Sequence, residues 1–191
     1  MKKDRSTLSV SDSIGTVTIE IFEPETMKAM LVLGHGAGAG MDHRFMVDLS
    51  LALAEQQIGT MRYNFPYIEQ KKKMPSPPAI AEKTVAMAIK KAHELFPSTP
   101  LLAGGKSFGG RMTSQYTSKD CPAFLKGIVL FGFPLHAPGK PSQERGSHLS
   151  HISIPMLFLQ GTKDDLAKID LMENVTATLQ SAHLIKLEGA N

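Results

Sequence analysis

Cysteine, long apolar runs and clustered charge are all scarce in this sequence. The single cysteine, Cys121, cannot form an internal disulfide, which is compatible with a reducing compartment. No apolar run approaches the roughly 20 residues that a membrane-spanning helix needs. Residues 1–13 also lack the apolar stretch of a secretory signal. We therefore predict a cytoplasmic protein with no membrane partner.

The balance of charge and size indicates an ordinary globular protein. The formal net charge of +3 gives no dense basic face, so nucleic acid is not predicted as a partner, whereas anionic small molecules remain compatible. Hydrophobic residues make up 42% and charged residues 20% of the chain, close to globular averages. A length of 191 residues fits one domain, and we predict a single domain over residues 1–191.

Hydrophobic periodicity predicts an antiparallel N-terminal part followed by a longer alternating part. Residues 16–22 have a strand pattern, and residues 7–10 are expected to pair with them as an edge hairpin. From Lys28 onward, short apolar runs alternate with helix-period segments, which predicts a mostly parallel sheet with helices on both faces. Strands are predicted at 29–34, 58–64, 100–104, 127–131, 155–160 and 183–187, helices at 42–57, 79–96, 108–119 and 168–179, and loops at 65–78 and 133–153. Both loops follow strand ends, at the edge where parallel sheets bind ligands.

The segment 101–110 carries the strongest chemical signal. Its sequence Gly105-Lys106-Ser107-Phe108-Gly109 matches G-x-S-x-G between a predicted strand and a predicted helix, which is the setting of a nucleophile elbow. Small residues are needed two positions before and after the serine because strand and helix approach closely there. The pattern predicts Ser107 as a nucleophile, although by itself it is equally typical of a structural turn.

A second glycine-rich segment, residues 34–40, follows the first predicted parallel strand. Acyl transfer needs two backbone N–H groups directed at the developing oxyanion, and those of Ala37 and Phe108 are the candidates. The competing interpretation is a phosphate-binding loop of dinucleotide type. Against it, Met41 stands where that motif needs a third small residue, and residues 62–64 lack the ribose-binding acid.

Two acids follow the predicted strand at 155–160. A triad acid commonly follows a late strand, and Asp164 fits that position. It would orient a histidine and stabilise the charged form of that histidine. Asp165 is the alternative, and both acids are also candidate caps of the following helix.

Together these segments resemble the α/β hydrolases related to dienelactone hydrolase, in particular the testis-expressed-protein type. The similarity spans about residues 28–190, through the stretches 35–38 with Met41, 62–67, 105–110, 132–141, Arg145 with 148–149, and 160–164. The resemblance implies an α/β-hydrolase fold without a lid domain. It also implies a serine where dienelactone hydrolase carries cysteine, so dienelactone is not expected as the substrate.

A serine nucleophile needs an adjacent general base, usually histidine in this fold. In the resembling family the last strand leads into G-A-x-H, whereas residues 189–191 read Gly-Ala-Asn and end one step before that histidine. We expect the sequence to be truncated at this point. Two alternatives stay open: a substitute among His35, His136, His148 and His151, or a fold that binds without catalysing.

Basic residues in the two predicted loops form a candidate substrate rim. Lysines 71–73, Lys140 and Arg145 would steer a carboxylate or phosphate group, although such a lysine run is usually only solvated. His35 and His136 are further rim candidates, and His136 is equally a candidate structural hydrogen-bonder.

We predict a serine hydrolase acting on an ester-type small molecule, without cofactor or metal. The alternatives are a catalytically impaired binding or scaffold protein and an acyltransferase.

Overall fold

An eight-stranded sheet runs through the computed structural model, which describes residues 2–191. The strand order is β1-β2-β4-β3-β5-β6-β7-β8. The strands are β1 Lys2–Ser11, β2 Gly15–Glu23, β3 Ala29–Gly34, β4 Ile58–Tyr63, β5 Leu101–Lys106, β6 Leu125–Phe131, β7 Met156–Gly161 and β8 Ala182–Leu187. Strands β3 to β8 are parallel, and β2 runs antiparallel to both of its neighbours. The predicted mostly parallel sheet with an antiparallel edge hairpin is therefore present.

Helices cover both faces of this sheet. They are α1 Arg44–Glu55, α2 Pro66–Glu69, α3 Pro78–Leu95, α4 Phe108–Lys119 and α5 Ile169–Ala177, with a 3-10 helix at Glu144–His151. Side chains alternate along a strand, so β3 serves two cores. Leu31 and Leu33 cluster with Met46 of α1, whereas Met30 and Val32 belong to the larger core that includes residues of α3 and α4.

Three segments differ from their predicted bounds or structure. Strand β1 begins at Lys2 rather than residue 7, because backbone pairing with β2 continues through polar residues on an exposed edge. The predicted loop 65–78 contains α2, since Pro66 occupies the first helical turn, where a missing N–H costs nothing. The predicted loop 133–153 contains the 3-10 helix Glu144–His151. Prolines had suggested irregular backbone in both segments.

Parallel pairing brings the carboxyl ends of β3 to β8 to one edge of the sheet. Gly34, Gly105 and Leu130 are register partners across β3, β5 and β6. The segments that follow these strands therefore meet at this edge, which is where the candidate chemistry lies. None of the helices between residues 2 and 191 combines the length and apolar character needed to cross a bilayer.

Candidate active site

Ser107 occupies a sharp turn between β5 and α4. Its backbone has φ 49° and ψ −109°, which is a strained conformation for a residue with a side chain. The Ser107 N–H donates to Phe131 O at 2.9 Å, and Ser107 O accepts from Arg111 N at 3.0 Å. The sheet and the helix thus hold the turn from both sides, with the serine just before the first helical residue.

Two glycines allow strand and helix to meet at this turn. A Cβ added at Gly105 would overlap Gly34 O and lie 2.7 Å from the carbonyl carbon of Gly109. A Cβ added at Gly109 would overlap the carbonyl of Gly34 and lie 2.8 Å from His35 O. These neighbours are backbone atoms that cannot rotate away. The close approach that the G-x-S-x-G spacing predicts is therefore real, and it involves the glycine loop as well.

The glycine loop, residues 34–40, lies beside the serine. A Cβ added at Gly36 would be 4.0 Å from Ser107 Cβ and 3.8 Å from Lys106 Cγ. Phe108 is the first residue of α4, so its N–H has no partner within the helix. Ala37 follows Gly36 in the loop. The two N–H groups predicted as oxyanion donors thus lie on segments that flank Ser107.

His35 holds the glycine loop from within the protein. Its Nε2 accepts from Phe65 N at 3.1 Å, so Nδ1 carries the proton and donates to Gly36 O at 2.8 Å. A trans peptide directs the Gly36 carbonyl and the Ala37 N–H to opposite sides. His35 therefore helps to set the direction of one candidate oxyanion donor, together with Ala39 N, which also donates to Gly36 O at 3.2 Å.

The same residue is not part of a substrate rim. The His35 side chain is fully buried, and burial lowers its pKa to about 4, against smaller opposing effects of the Gly36 carbonyl and Glu69. The imidazole is therefore neutral near pH 7. The sequence-based placement of His35 on the rim is wrong, because both ring nitrogens are bonded to backbone atoms inside the protein.

Residues 62–67 are the scaffold of the glycine loop, a role that sequence reasoning missed. The Tyr67 hydroxyl donates to Ala37 O at 2.8 Å. Asn64 Oδ1 accepts from Met41 N at 2.9 Å, and Arg62 Nη1 donates to Met41 O at 2.6 Å. The run Arg62-Tyr63-Asn64-Phe65-Pro66-Tyr67 was visible as part of the family resemblance. Its role in holding the glycine loop depends on contacts between residues 20 or more positions apart in the sequence, which no local pattern reveals.

Asp164 lies in the turn after β7, with its carboxylate partly satisfied. Oδ2 accepts from Gln160 Nε2 at 2.7 Å, and Oδ1 accepts from Leu166 N at 2.8 Å. A Cβ added at Gly132 would lie 3.4 Å from Asp164 Oδ2 and 3.1 Å from Lys106 Nζ. The carboxylate therefore points toward the strand ends next to the elbow.

Helix capping does not explain either acid. Helix α5 begins at Ile169, and its N-cap position is Lys168, so neither Asp164 nor Asp165 caps it. Asp165 is exposed on the turn. The structure thus favours Asp164 over Asp165 as the acid oriented toward the site.

His136 is a structural residue rather than a rim residue. It is almost fully buried, its Nδ1 donates to Ala137 O at 2.9 Å, and its Nε2 accepts from Lys168 N at 3.0 Å. His136 thereby fastens the loop after β6 to the loop after β7. The rim prediction for His136 is wrong, and the alternative of a structural hydrogen-bonder is correct.

The other histidines lie elsewhere in the structure. His148 Nε2 lies 2.8 Å from Ser114 Oγ, whereas His151 is exposed at the end of the 3-10 helix and His183 is exposed at the amino end of β8. Within residues 2–191, no histidine hydrogen-bonds Ser107 Oγ. The same residues contain no group of three or more histidine, cysteine or acidic side chains placed to bind a metal ion.

The turn after β8 packs next to the acid. Lys163 N donates to Ala190 O at 2.9 Å, and Gly189 N donates to Thr162 Oγ1 at 2.9 Å. A Cβ added at Gly161 would lie 3.1 Å from Asn191 N. Residues 189–191 are thus fastened to the segment that immediately precedes Asp164.

The predicted basic rim divides into two kinds of residue. Lysines 71–73 and Lys140 are exposed. Arg145 is half-buried, and its Nη1 donates to His136 O at 3.1 Å. Arg111, which sequence reasoning did not single out, is half-buried on α4, and its Nε is fully buried without a hydrogen-bond partner.

Comparison with known proteins identifies the family and the fold of the chain. Residues 27–191 match the family described as the alpha/beta hydrolase domain, so the chain belongs to that family. A dienelactone hydrolase from Anabaena variabilis superposes with a TM-score of 0.82 at 16% identity, covering 100% of this chain and 87% of that one. An alpha-beta serine hydrolase homologue from Coxiella burnetii gives 0.81 at 15% identity, covering 100% and 89%.

A third solved structure addresses the lid. An α/β serine hydrolase without lid from Xanthomonas campestris superposes with a TM-score of 0.79 at 16% identity, covering 100% of this chain and 85% of that one. At such identities the likeness establishes the fold. The predicted α/β-hydrolase fold without a lid domain is confirmed, and the dinucleotide-binding interpretation of residues 34–40 is not supported.

Proposed function

We propose that the protein is a serine hydrolase that cleaves ester-type bonds through an acyl-enzyme on Ser107. The observation that carries the proposal is the strained φ of 49° at Ser107, held directly beside the glycine loop. Strain of this kind costs about 1–3 kcal/mol and is found mainly at functional sites. An ordinary strand-to-helix turn has no need of it.

The proposed reaction has two steps. Ser107 Oγ attacks the ester carbonyl carbon while a general base takes its proton, and the carbonyl oxygen becomes an oxyanion facing the N–H groups of Ala37 and Phe108. The carbon–oxygen bond to the leaving alcohol then breaks, and the base returns the proton to that alcohol. Water repeats the sequence on the acyl-enzyme and releases the acid and free Ser107. Loss of one oxyanion donor typically costs roughly a hundredfold in rate.

The proposed acid is Asp164, and the G-A-x-H motif of the resembling family would place the general base, a histidine, directly after a turn such as 189–191. The packing of residues 189–191 on residues 161–163 supports this, because it brings that turn to the segment that immediately precedes Asp164. His35 and His136 are unsuited, since both ring nitrogens of each are bonded to backbone atoms. The finer assignment to the testis-expressed-protein type of hydrolase, made from the sequence motifs, belongs to the same proposal.

A turnover assay tests the nucleophile and the base separately. We expect a chain carrying histidine after Asn191 to hydrolyse 4-nitrophenyl butyrate, and the same chain with Ser107→Ala to lose that activity. Ser118→Ala, on the same helix, is the matched control and should retain the rate. Alanine in place of the added histidine should lower kcat by several orders of magnitude.

Two other results would redirect the proposal. If the histidine-bearing chain and its Ser107→Ala variant are equally inactive, the fold serves binding rather than catalysis. The finding that no histidine of residues 2–191 bonds Ser107 supports that second candidate. Product formation that depends on an added alcohol or thiol would instead identify an acyltransferase.

A further inference from the structure

Arg111 lies one helical turn after the nucleophile and has no counter-charge among residues 2–191. Its backbone N–H bonds Ser107 O at 3.0 Å, so the two residues share one side of the start of α4. Helical side chains lean toward the N-terminus, which directs Arg111 toward the end of the helix that carries Ser107. Its Nε is buried without a hydrogen-bond partner. Burying a guanidinium nitrogen in this way is costly unless something binds the group.

Arg145 approaches Arg111 from the 3-10 helix. Ser114 of α4 and His148 of the 3-10 helix are joined at 2.8 Å, and each lies three residues after one of these arginines. Arg145 Nη1 donates to His136 O. His136 in turn accepts from Lys168 N, which lies four residues after Asp164. Burial lowers the pKa of Arg111, and the nearby positive charge of Arg145 lowers it further. Two like charges therefore share a half-buried site between the nucleophile helix and the acid loop.

The other three arginines of the chain each pair with a carboxylate, although Arg62 Nε, like Arg111 Nε, is buried without a hydrogen-bond partner within residues 2–191. Arg5 and Arg62 both pair with Glu20, and Arg44 pairs with Asp48. Within residues 2–191, neither Arg111 nor Arg145 forms a salt bridge with a carboxylate. Arginine offers a planar fork of donors that matches carboxylate and phosphate oxygens. The missing counter-charge is therefore expected to come from a ligand.

We propose that Arg111 and Arg145 bind the oxyanion of an ester substrate that carries a carboxylate or phosphate group, and so orient its ester carbonyl at Ser107. The inference rests on the proposed hydrolase function and names its substrate class. It also divides the basic rim residues into two roles. Specific recognition belongs to the two half-buried arginines, whereas the exposed lysines 71–73 are left with at most long-range steering.

A matched pair of esters tests the site in the chain that carries histidine after Asn191. 4-Acetoxybenzoate has the anion, and 4-acetoxybenzamide replaces it with a neutral group of similar shape. We expect Arg111→Gln and Arg145→Gln each to lower kcat/KM for 4-acetoxybenzoate roughly 10- to 100-fold and to change that for the amide by less than about threefold. Lys126→Gln, an equal charge change at the opposite end of β6, should alter neither. Equal losses on both esters, or no loss on either, would overturn the proposal.

A binding measurement separates this site from the hydrolase proposal. Calorimetric titration of the Ser107→Ala chain with 4-hydroxybenzoate and with inorganic phosphate shows whether an anion binds and which of the two chemistries is preferred. We expect Arg111→Gln to weaken the preferred anion at least tenfold, and Lys126→Gln to leave it unchanged. Binding without turnover of either ester would refute the hydrolase and retain the anion site. Turnover of 4-nitrophenyl butyrate with no arginine-dependent binding would do the reverse.

Discussion

At the scale of single residues, the backbone conformation that positions the Ser107 hydroxyl destabilises the folded protein. Its φ of 49° is one that glycine adopts freely and serine does not. The free energy of unfolding of Ser107→Gly should therefore exceed that of Ser107→Ala by about 1 kcal/mol, although neither variant has a nucleophile. Urea unfolding followed by circular dichroism measures the difference. Equal stability of the two variants would mean that the turn is relaxed.

His35, which is hydrogen-bonded to the glycine loop, makes the stability of the folded protein depend on pH. The unfolded imidazole titrates near its ordinary pKa of 6.5, whereas burial lowers the folded pKa to about 4. The unfolded state therefore binds more protons in this window, so stability is fully present above pH 6.5 and is lost as pH falls toward 4. The full loss amounts to about 3 kcal/mol.

His148 contributes in the same window, because burial and the charge of Arg111 lower its pKa to about 4 as well. We expect His35→Gln to flatten the dependence of the urea midpoint on pH between 7 and 5, with His148→Gln flattening the remainder. His183→Gln, an exposed histidine, is the control and should keep the full slope. A His35→Gln slope equal to that of the unmodified protein would contradict the neutral, buried assignment.

At the scale of elements, the stretch from β4 into α2 supports the glycine loop. Tyr67 is the clearest member, because its hydroxyl bonds Ala37 O at 2.8 Å. We expect Tyr67→Phe to lower kcat on 4-nitrophenyl butyrate roughly tenfold, with little change in KM, since the loop loses a constraint on its oxyanion donor. Tyr116→Phe, a half-buried tyrosine on α4, should leave kcat within about twofold. Equal effects of the two changes would remove the supporting role.

The elements also show what the sequence could and could not reveal. Helix α4 was predicted with its observed bounds, because the elbow motif marks its start and Pro122, just past its C-cap Asp120, limits its end. The Ser107 turn and the Gly36 segment were found because each uses a dense local pattern. Arg111 and Tyr67 were missed, since their roles arise from packing between segments far apart in the chain. Short helices in proline-rich segments were missed because proline suits a first helical turn as well as a loop.

At the scale of the whole molecule, a buried ion pair fastens the N-terminal hairpin to the parallel sheet. Arg62 of β4 and Glu20 of β2 are both almost fully buried and paired with each other. Removing one partner leaves an uncompensated charge in the interior. Glu20→Gln should lower the free energy of unfolding by roughly 3–5 kcal/mol, whereas Glu82→Gln, at the more exposed pair with Lys119, should cost less than about 1 kcal/mol. Similar losses would show that the pair is screened by solvent.

The hairpin matters to the site because Arg62 also donates to Met41 O, at the exit of the glycine loop. Loss of the buried pair should thus lower activity as well as stability. The sheet, the hairpin and the loop act as one support for the elbow. Everything in the proposed chemistry depends on Ser107 being a reactive nucleophile in that support.

Covalent labelling tests this most directly. The chain carrying histidine after Asn191 is treated with a fluorophosphonate, and the modified residue is located by peptide mass spectrometry. We expect a single phosphonyl adduct on Ser107 and none in the Ser107→Ala variant. An adduct on another residue, or labelling that is unchanged by Ser107→Ala, would contradict the assignment of Ser107 as the nucleophile.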